Sequence, residues 1–149
     1  MAYAAGTNVS PERSIAEIKK YLQAHGAMKF GTLEQEDSVA IAFHAHNRDI
    51  RFRVPFPPLS DYRLTETNIV RTPDAQHRFW EQGVRQRYRA LLLVIKAKFE
   101  SIESGVTSFE QEFFPYVVMP GGQTIYEITS DQVTHILETG VPGPLRLEP

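Results

Sequence analysis

Two histidines and an aspartate lie close together at positions 44, 46 and 49, and these side-chain types can bind a metal ion. His44 and His46 are separated by one residue, so a β-strand would place both imidazoles on one face. If Asn47 and Arg48 form a hairpin loop, Asp49 lies opposite His46 and completes a ligand set suited to a divalent transition metal. Histidines on the polar face of a hairpin are more often ordinary surface residues, and we predict no metal and no cofactor.

No other pattern indicates catalysis. The chain contains no cysteine, which excludes disulfides and thiolate nucleophiles. It contains no nucleophile elbow of the Gly-x-Ser-x-Gly type, no phosphate-binding loop and no dinucleotide fingerprint. Glu110 and Glu112 are two positions apart on a predicted helix and therefore point to different sides. We expect a protein that is not an enzyme.

The charges are distributed unevenly along the chain. The net charge is −2, but residues 44–98 contain eleven basic and five acidic side chains, whereas residues 99–149 contain one and eight. Between positions 78 and 98 six Arg and Lys side chains face a single Glu81. This excess is larger than a helix needs for solvation, and a basic surface attracts polyanions through its long-range field.

The basic segment coincides with a single long helix, predicted from Thr72 to Gly105. Thr72 is an N-cap residue, Pro73 suits the first helical position, and Gly105 ends the helix. Apolar residues recur at spacings of three and four and form one stripe: Trp80, Val84, Tyr88, Leu91, Ile95, Phe99 and Ile102. The segment Leu91–Ile95 is apolar on every side, so we expect a homodimer through this helix unless C-terminal helices cover it.

A helix and a β-hairpin precede the long helix. Residues 1–9 are expected to be frayed, Ser10 caps a helix that ends at Gly26, and a short strand follows at Met28 and Phe30. With an Asn47-Arg48 loop, one hairpin face is apolar through three pairs: Ala45 with Ile50, Phe43 with Phe52, and Ile41 with Val54. The other face then pairs His46 with Asp49, His44 with Arg51, and Ala42 with Arg53.

Shorter elements follow Gly105. Thr107 begins a capping box for a short helix, and Ser130 caps a last helix that Gly140 ends. The segment 124–128 fits either a second capping box or the return strand of a hairpin with residues 116–119, and both alternatives remain open.

These elements predict one α+β domain over residues 1–149. Its order is α-β-β-β-α, with a three-stranded antiparallel sheet packed on a long central helix in residues 10–105, a small helical C-terminal part at 106–140 and a tail at 141–149. Double-stranded-RNA-binding domains have the same element order. Their lysine cluster begins the second helix, where this chain has Asp74, and this departure argues against specific recognition of duplex RNA.

The long helix and the segments after it contain the sequences Arg85–Glu100, Phe109–Phe113 and Met119–Gly122. Together they resemble a family of small bacteriophage and prophage proteins, and the likeness extends over most of the chain. The resemblance implies a setting, the cytoplasm of a bacterial host, and no catalytic residue. In that setting small non-enzymatic proteins mostly handle nucleic acid or bind host proteins.

The sequence therefore predicts a phage-encoded nucleic-acid-binding protein. The predicted contacts to phosphates are basic side chains of the hairpin and the long helix: Arg51, Arg53, Arg78, Arg85, Arg89 and Lys96. Phosphate contacts position a protein without reading bases, so we expect little sequence specificity, for DNA or RNA alike. The alternative is an interaction protein that binds and modulates a host protein through its acidic C-terminal half or through Leu92 and Leu93. No apolar run is long enough to span a bilayer, and no membrane partner is expected.

Overall fold

The computed structural model describes residues 4–148 and confirms the predicted α+β class and element order. In chain order the elements are α1 (Pro11–Ala24), β1 (Met28–Glu34), β2 (Ser38–Ala45), β3 (Arg48–Pro55), a 3₁₀ turn (Leu59–Tyr62), α2 (Pro73–Glu103), α3 (Phe109–Phe113), a second 3₁₀ turn (Phe114–Tyr116) and α4 (Ile125–Thr139). The strands form one antiparallel sheet in the order β1-β2-β3. In the part of the chain that is described, no helix combines the length and apolarity needed to cross a membrane.

The β2–β3 loop lies one residue earlier than predicted. It consists of His46 and Asn47, not of Asn47 and Arg48. Both loop residues have positive φ, 50° and 59°, as a two-residue turn of type I′ requires. Histidine and asparagine tolerate this region of the Ramachandran plot better than most residues with a side chain.

The earlier loop displaces every predicted cross-strand pair by two positions. Ile41 lies opposite Phe52 and Phe43 opposite Ile50, whereas His44 lies opposite Asp49. Side chains alternate between the two faces of a strand, so a displacement of two leaves each one on its predicted face. The predicted pairs are wrong, and the division into an apolar inner face and a polar outer face is correct.

The core lies between the inner face of the sheet and the helices α1, α2 and α3. Its fully buried members come from all of these layers: Ile18, Leu22, Val39, Ile41, Ile50, Tyr88, Ile95 and Phe113. Tyr88 donates its hydroxyl hydrogen to Glu34 Oε1 of β1 at 2.8 Å. Burial first, and the hydrogen bond to this carboxylate second, raise the pKa of Tyr88 far above its ordinary value. The phenol is therefore a neutral donor at every physiological pH.

The long helix has its predicted ends, but its apolar middle is partly covered within the domain. Thr72 accepts a hydrogen bond from the backbone of Ala75, and Gly105 follows the helix with a φ of 79°. Leu92 is buried at 3% exposure in the core, whereas Leu93 remains 40% exposed. Only one side of the Leu91–Ile95 segment thus stays open.

The N-terminal segment departs from the prediction that it is frayed. Residues 1–3 lie outside the described part of the chain. Ala4 is buried, and the side-chain amide of Gln82 on α2 donates to the carbonyl oxygens of Ala5 and Thr7 at 3.0 and 2.8 Å. A polar side chain of the long helix therefore holds this segment in place.

The C-terminal helices begin at other residues than predicted. The first capping box is formed by Ser108 and Gln111, one position after Thr107. The Thr107 hydroxyl instead donates to Glu112 Oε1 at 2.7 Å. This hydrogen bond is the largest cause of the lowered pKa of Glu112, and other donors including Lys98 contribute less.

Both alternatives for segment 124–128 describe part of the structure. Thr124 and Glu127 form the capping box of α4, and Thr124 also forms an antiparallel bridge with Val118. The helix then runs without a break from Ile125 through Ser130 to Thr139, so Ser130 is an interior residue and not a cap.

Candidate functional site

The six predicted phosphate contacts lie on two different surfaces. Arg51 and Arg53 alternate along β3 with the buried Ile50 and Phe52 and therefore occupy the outer face of the sheet. Helix α2 packs on the inner face. The structure thus separates the two arginines of the hairpin from the basic residues of the long helix.

The arginines on the outer face have acidic partners. Arg51 donates from Nη2 to Glu127 Oε2 in the first turn of α4 at 2.8 Å. Arg53 Nη2 lies 3.7 Å from Asp37 Oδ2 in the β1–β2 turn, which is too long for a hydrogen bond. Their side chains line a pocket with Tyr116 and other residues of the C-terminal part. Glu127 therefore neutralises much of the charge at this position.

The basic residues of α2 form a second surface, which we call the α2 basic stripe: Arg78, Arg85, Arg89 and Lys96. Their spacing places them on one side of the helix. Arg89 Nη1 lies 2.7 Å from Glu17 Oε2 of α1, and the Lys96 ammonium lies 5.6 Å from the ring centroid of Tyr21, also on α1. The stripe therefore follows the line where α1 packs against α2.

One carboxylate on this surface is shared by three cations. The pKa of Glu17 is lowered, first by its hydrogen bond from Arg89 and further by the fields of Arg89, Arg13 and Lys96, against a smaller opposing effect of burial. Arg13 Nε lies 3.4 Å from the same carboxylate. Glu17 carries one negative charge against the three positive charges of Arg13, Arg89 and Lys96. This group of four side chains therefore has a net positive charge.

The excess of positive charge extends along the rest of α2. Of the six basic side chains between positions 78 and 98, only Arg89 and Lys98 form an ion pair with a carboxylate of residues 4–148. Arg85 donates to the neutral amide of Gln82, and Arg87 donates to the backbone oxygen of Pro55. These bonds orient the guanidinium groups without neutralising them, so α2 presents a row of positive charge.

The candidate metal ligands are not assembled into a site. His44 Nδ1 lies 2.7 Å from Asp49 Oδ1, which replaces the predicted contact between His46 and Asp49. The His46 ring stacks on Phe109 with 4.1 Å between the centroids. Within the described residues, no group of three or more His, Asp and Glu side chains is arranged to hold a metal ion.

The site therefore belongs to an α+β domain whose long central helix exposes uncompensated positive charge. Sequence reasoning found the stripe but missed the contribution of α1, through Arg13, Glu17 and Tyr21, because no periodicity relates the two helices.

Comparison of this chain with protein families, with curated proteins and with solved structures gives no match.

Proposed function

We propose that this protein binds the phosphate backbone of a nucleic acid through the α2 basic stripe, with little sequence specificity. The observation that supports this function is the row of basic side chains on α2, of which only Arg89 and Lys98 pair with a carboxylate of residues 4–148. The sequence resemblance suggests that the protein is encoded by a phage and acts in the cytoplasm of the bacterial host. No metal or cofactor is needed for this function.

The dimensions of the stripe suit this role. At 1.5 Å of rise per residue, the distance along the helix from Arg78 to Lys96 is about 27 Å. Successive phosphates of one strand are about 3.4 Å apart along a duplex axis, so the stripe spans several of them. Guanidinium groups bind phosphate oxygens by charge-assisted, often bidentate hydrogen bonds. Such contacts determine affinity and its dependence on salt and leave the bases unread.

The double substitution Arg78→Ala plus Arg85→Ala is expected to weaken nucleic-acid binding roughly tenfold or more at low salt. The slope of log affinity against log salt should become shallower by about two units, one for each lost phosphate contact. Fluorescence anisotropy with labelled DNA and RNA at several salt concentrations measures both quantities. The melting temperature should change little, because neither side chain pairs with a carboxylate in residues 4–148 and Arg85 bonds only to the neutral amide of Gln82.

The matched control is Arg51→Ala plus Arg53→Ala, which removes the same charge from the outer face of the sheet. We expect a smaller loss of affinity there, since only the long-range field changes. Equal losses in the two double variants would show that net charge alone matters and would contradict a site on α2. If the wild-type protein retards no single- or double-stranded DNA or RNA at low salt, the proposed function is wrong.

A second candidate function, binding to a host protein, is favoured by the surface of α4. This helix exposes three large apolar side chains, Tyr126, Val133 and Leu137. Acidic side chains lie between them along the helix. Failure of the wild-type protein to bind nucleic acid would favour this function, and a host protein retained by the wild type after nuclease treatment would be its partner. The predicted use of Leu92 is wrong, because that side chain is buried in the core.

We also propose a homodimer through the open side of α2. Leu93 and Val94 are 40% and 43% exposed and form an apolar strip that a second copy would cover. Leu93→Arg is then expected to convert a dimer into a folded monomer, measured by light scattering, with a lower melting temperature because the stabilisation by association is lost. A monomeric wild type would contradict the dimer.

A further inference from the structure

A cleft of about 870 Å³ lies between the β1–β2 turn, the proline-rich segment after β3 and the first half of α2. The side chains that line this cleft differ in chemistry from those of the α2 basic stripe. Phe56, Leu59 and Trp80 give the cleft an aromatic and apolar interior. The ionisable side chains of its lining are Glu36, Asp37, Arg53 and His77. A volume of this size is in the range of ligand-binding clefts in proteins.

Hydrogen bonds connect the three walls of the cleft. The backbone N–H of Phe56 donates to the carbonyl oxygen of Asp37 at 2.7 Å. The indole N–H of Trp80 donates to the carbonyl oxygen of Pro57 at 2.7 Å, and the side-chain amide of Gln76 donates to that of Leu59 at 2.9 Å. The cleft is therefore already formed in the free protein, which lowers the cost of ordering it around a ligand.

The interior of the cleft offers aromatic and aliphatic surface. The only polar group of the Trp80 side chain is used by Pro57, so the half-buried ring contributes apolar surface. Phe56 meets this ring edge-on, with 6.3 Å between the centroids. Leu59 is 47% exposed at the edge of the cleft. Such a surface suits proline and leucine side chains of an extended peptide.

The acidic rim adds a preference for positive charge. Arg53 also lines the cleft and forms an ion pair with Asp37 at 3.7 Å. Glu36 has no ion-pair or side-chain hydrogen-bond partner among residues 4–148, so the rim keeps one uncompensated negative charge. Ser38 donates to Asp37 Oδ1 at 3.0 Å and so fixes the turn that carries both carboxylates. An aromatic ring next to such carboxylates attracts a cationic side chain and repels phosphate.

We propose that this cleft binds an extended, basic peptide segment of a partner protein. Its apolar residues pack on Trp80, Phe56 and Leu59, and an Arg or Lys beside them pairs with Glu36. This binding is independent of the nucleic-acid contacts proposed for α2, since the two surfaces have opposite charge preferences.

Tryptophan fluorescence tests the proposal directly, because Trp80 is the only tryptophan of the chain and lines the cleft. The probe is a short capped peptide of proline, leucine and arginine, and its control has glutamate in place of each arginine. We expect a saturable change in emission with the basic peptide and none with the acidic one. Equal responses to the two peptides, or no response to the basic peptide, would overturn the proposal.

Two charge-reversal variants test whether the acidic rim of the cleft contacts the peptide. Glu36→Lys is expected to weaken binding of the basic peptide at least tenfold without lowering the melting temperature, because Glu36 is exposed. Glu66→Lys makes the same charge change on the exposed loop before α2 and should leave the affinity nearly unchanged. Equal weakening by both variants would overturn the proposal. So would emission of the Leu93→Arg variant that depends on protein concentration without peptide, since this would assign the cleft to a second copy of the chain.

Discussion

Phe43→Asp is expected to unfold the domain under conditions in which the wild type is folded. Phe43 is 2% exposed, lies opposite Ile50 in the sheet and meets the ring of Phe113 edge-on at 6.0 Å. A carboxylate at this position would be buried without a partner, at a cost of several kcal/mol. Since domains of this size are stable by only about 5–15 kcal/mol, most of the folded population should be lost. Circular dichroism and a thermal melt measure the outcome.

His44→Ala is the control on the next residue of the same strand. Its ring lies on the outer face and bonds to the exposed Asp49, and exposed pairs of this kind contribute little to stability. We expect a melting temperature close to that of the wild type. If Phe43→Asp were as well tolerated as His44→Ala, the assignment of the inner and outer faces of β2 would be wrong.

The hairpin shows which part of a fold an alternating sequence determines. Apolar and polar residues alternate along β2 and β3, and this alternation decides which side chains face the core. It does not distinguish two registers that differ by two residues, because both place the same side chains inside. The turn decides between them, and the two positive φ angles at His46 and Asn47 depend on backbone conformations that hydrophobicity does not report.

The helix caps show the limit of local motifs. Thr107 and Ser108 are adjacent hydroxyl residues, and each has a Glu or Gln three positions later, so the sequence alone allows two capping boxes. Thr107 is used elsewhere, by Ser101 at the end of α2 and by Glu112. Contacts between elements therefore determine which of the two residues caps α3, which the local pattern leaves open.

The candidate site was predictable only where it lies within one element. The spacing of Arg78, Arg85 and Lys96 within α2 revealed the stripe. The position of Glu17 beside Arg89, and the separation of Arg51 from the stripe by the sheet, depend on how distant segments pack. The cleft around Trp80 is built from three such segments, and no spacing within any of them indicates it.

Gly83→Ala is expected to destabilise the domain by about 1–3 kcal/mol, the range found when a packed site is overfilled. Gly83 lies in the interior of α2, where Ala normally stabilises a helix by about 1 kcal/mol relative to Gly. A Cβ atom at this position would overlap the Tyr62 hydroxyl and lie 2.9 Å from Tyr62 Cζ and 3.1 Å from Pro57 Cγ. The glycine therefore allows the 3₁₀ turn Leu59–Tyr62 to pack against the helix. Urea unfolding followed by circular dichroism measures the difference.

A double-mutant cycle with Tyr62→Ala tests this explanation. Without the Tyr62 ring, the added methyl group meets only Pro57, so the penalty of Gly83→Ala should disappear and the helix propensity of alanine should make the change neutral or stabilising by up to about 1 kcal/mol. The difference between the two backgrounds is the energy of the contact between position 83 and Tyr62. If Gly83→Ala destabilises the protein equally with and without the Tyr62 ring, the close approach of this ring is not the reason for the glycine.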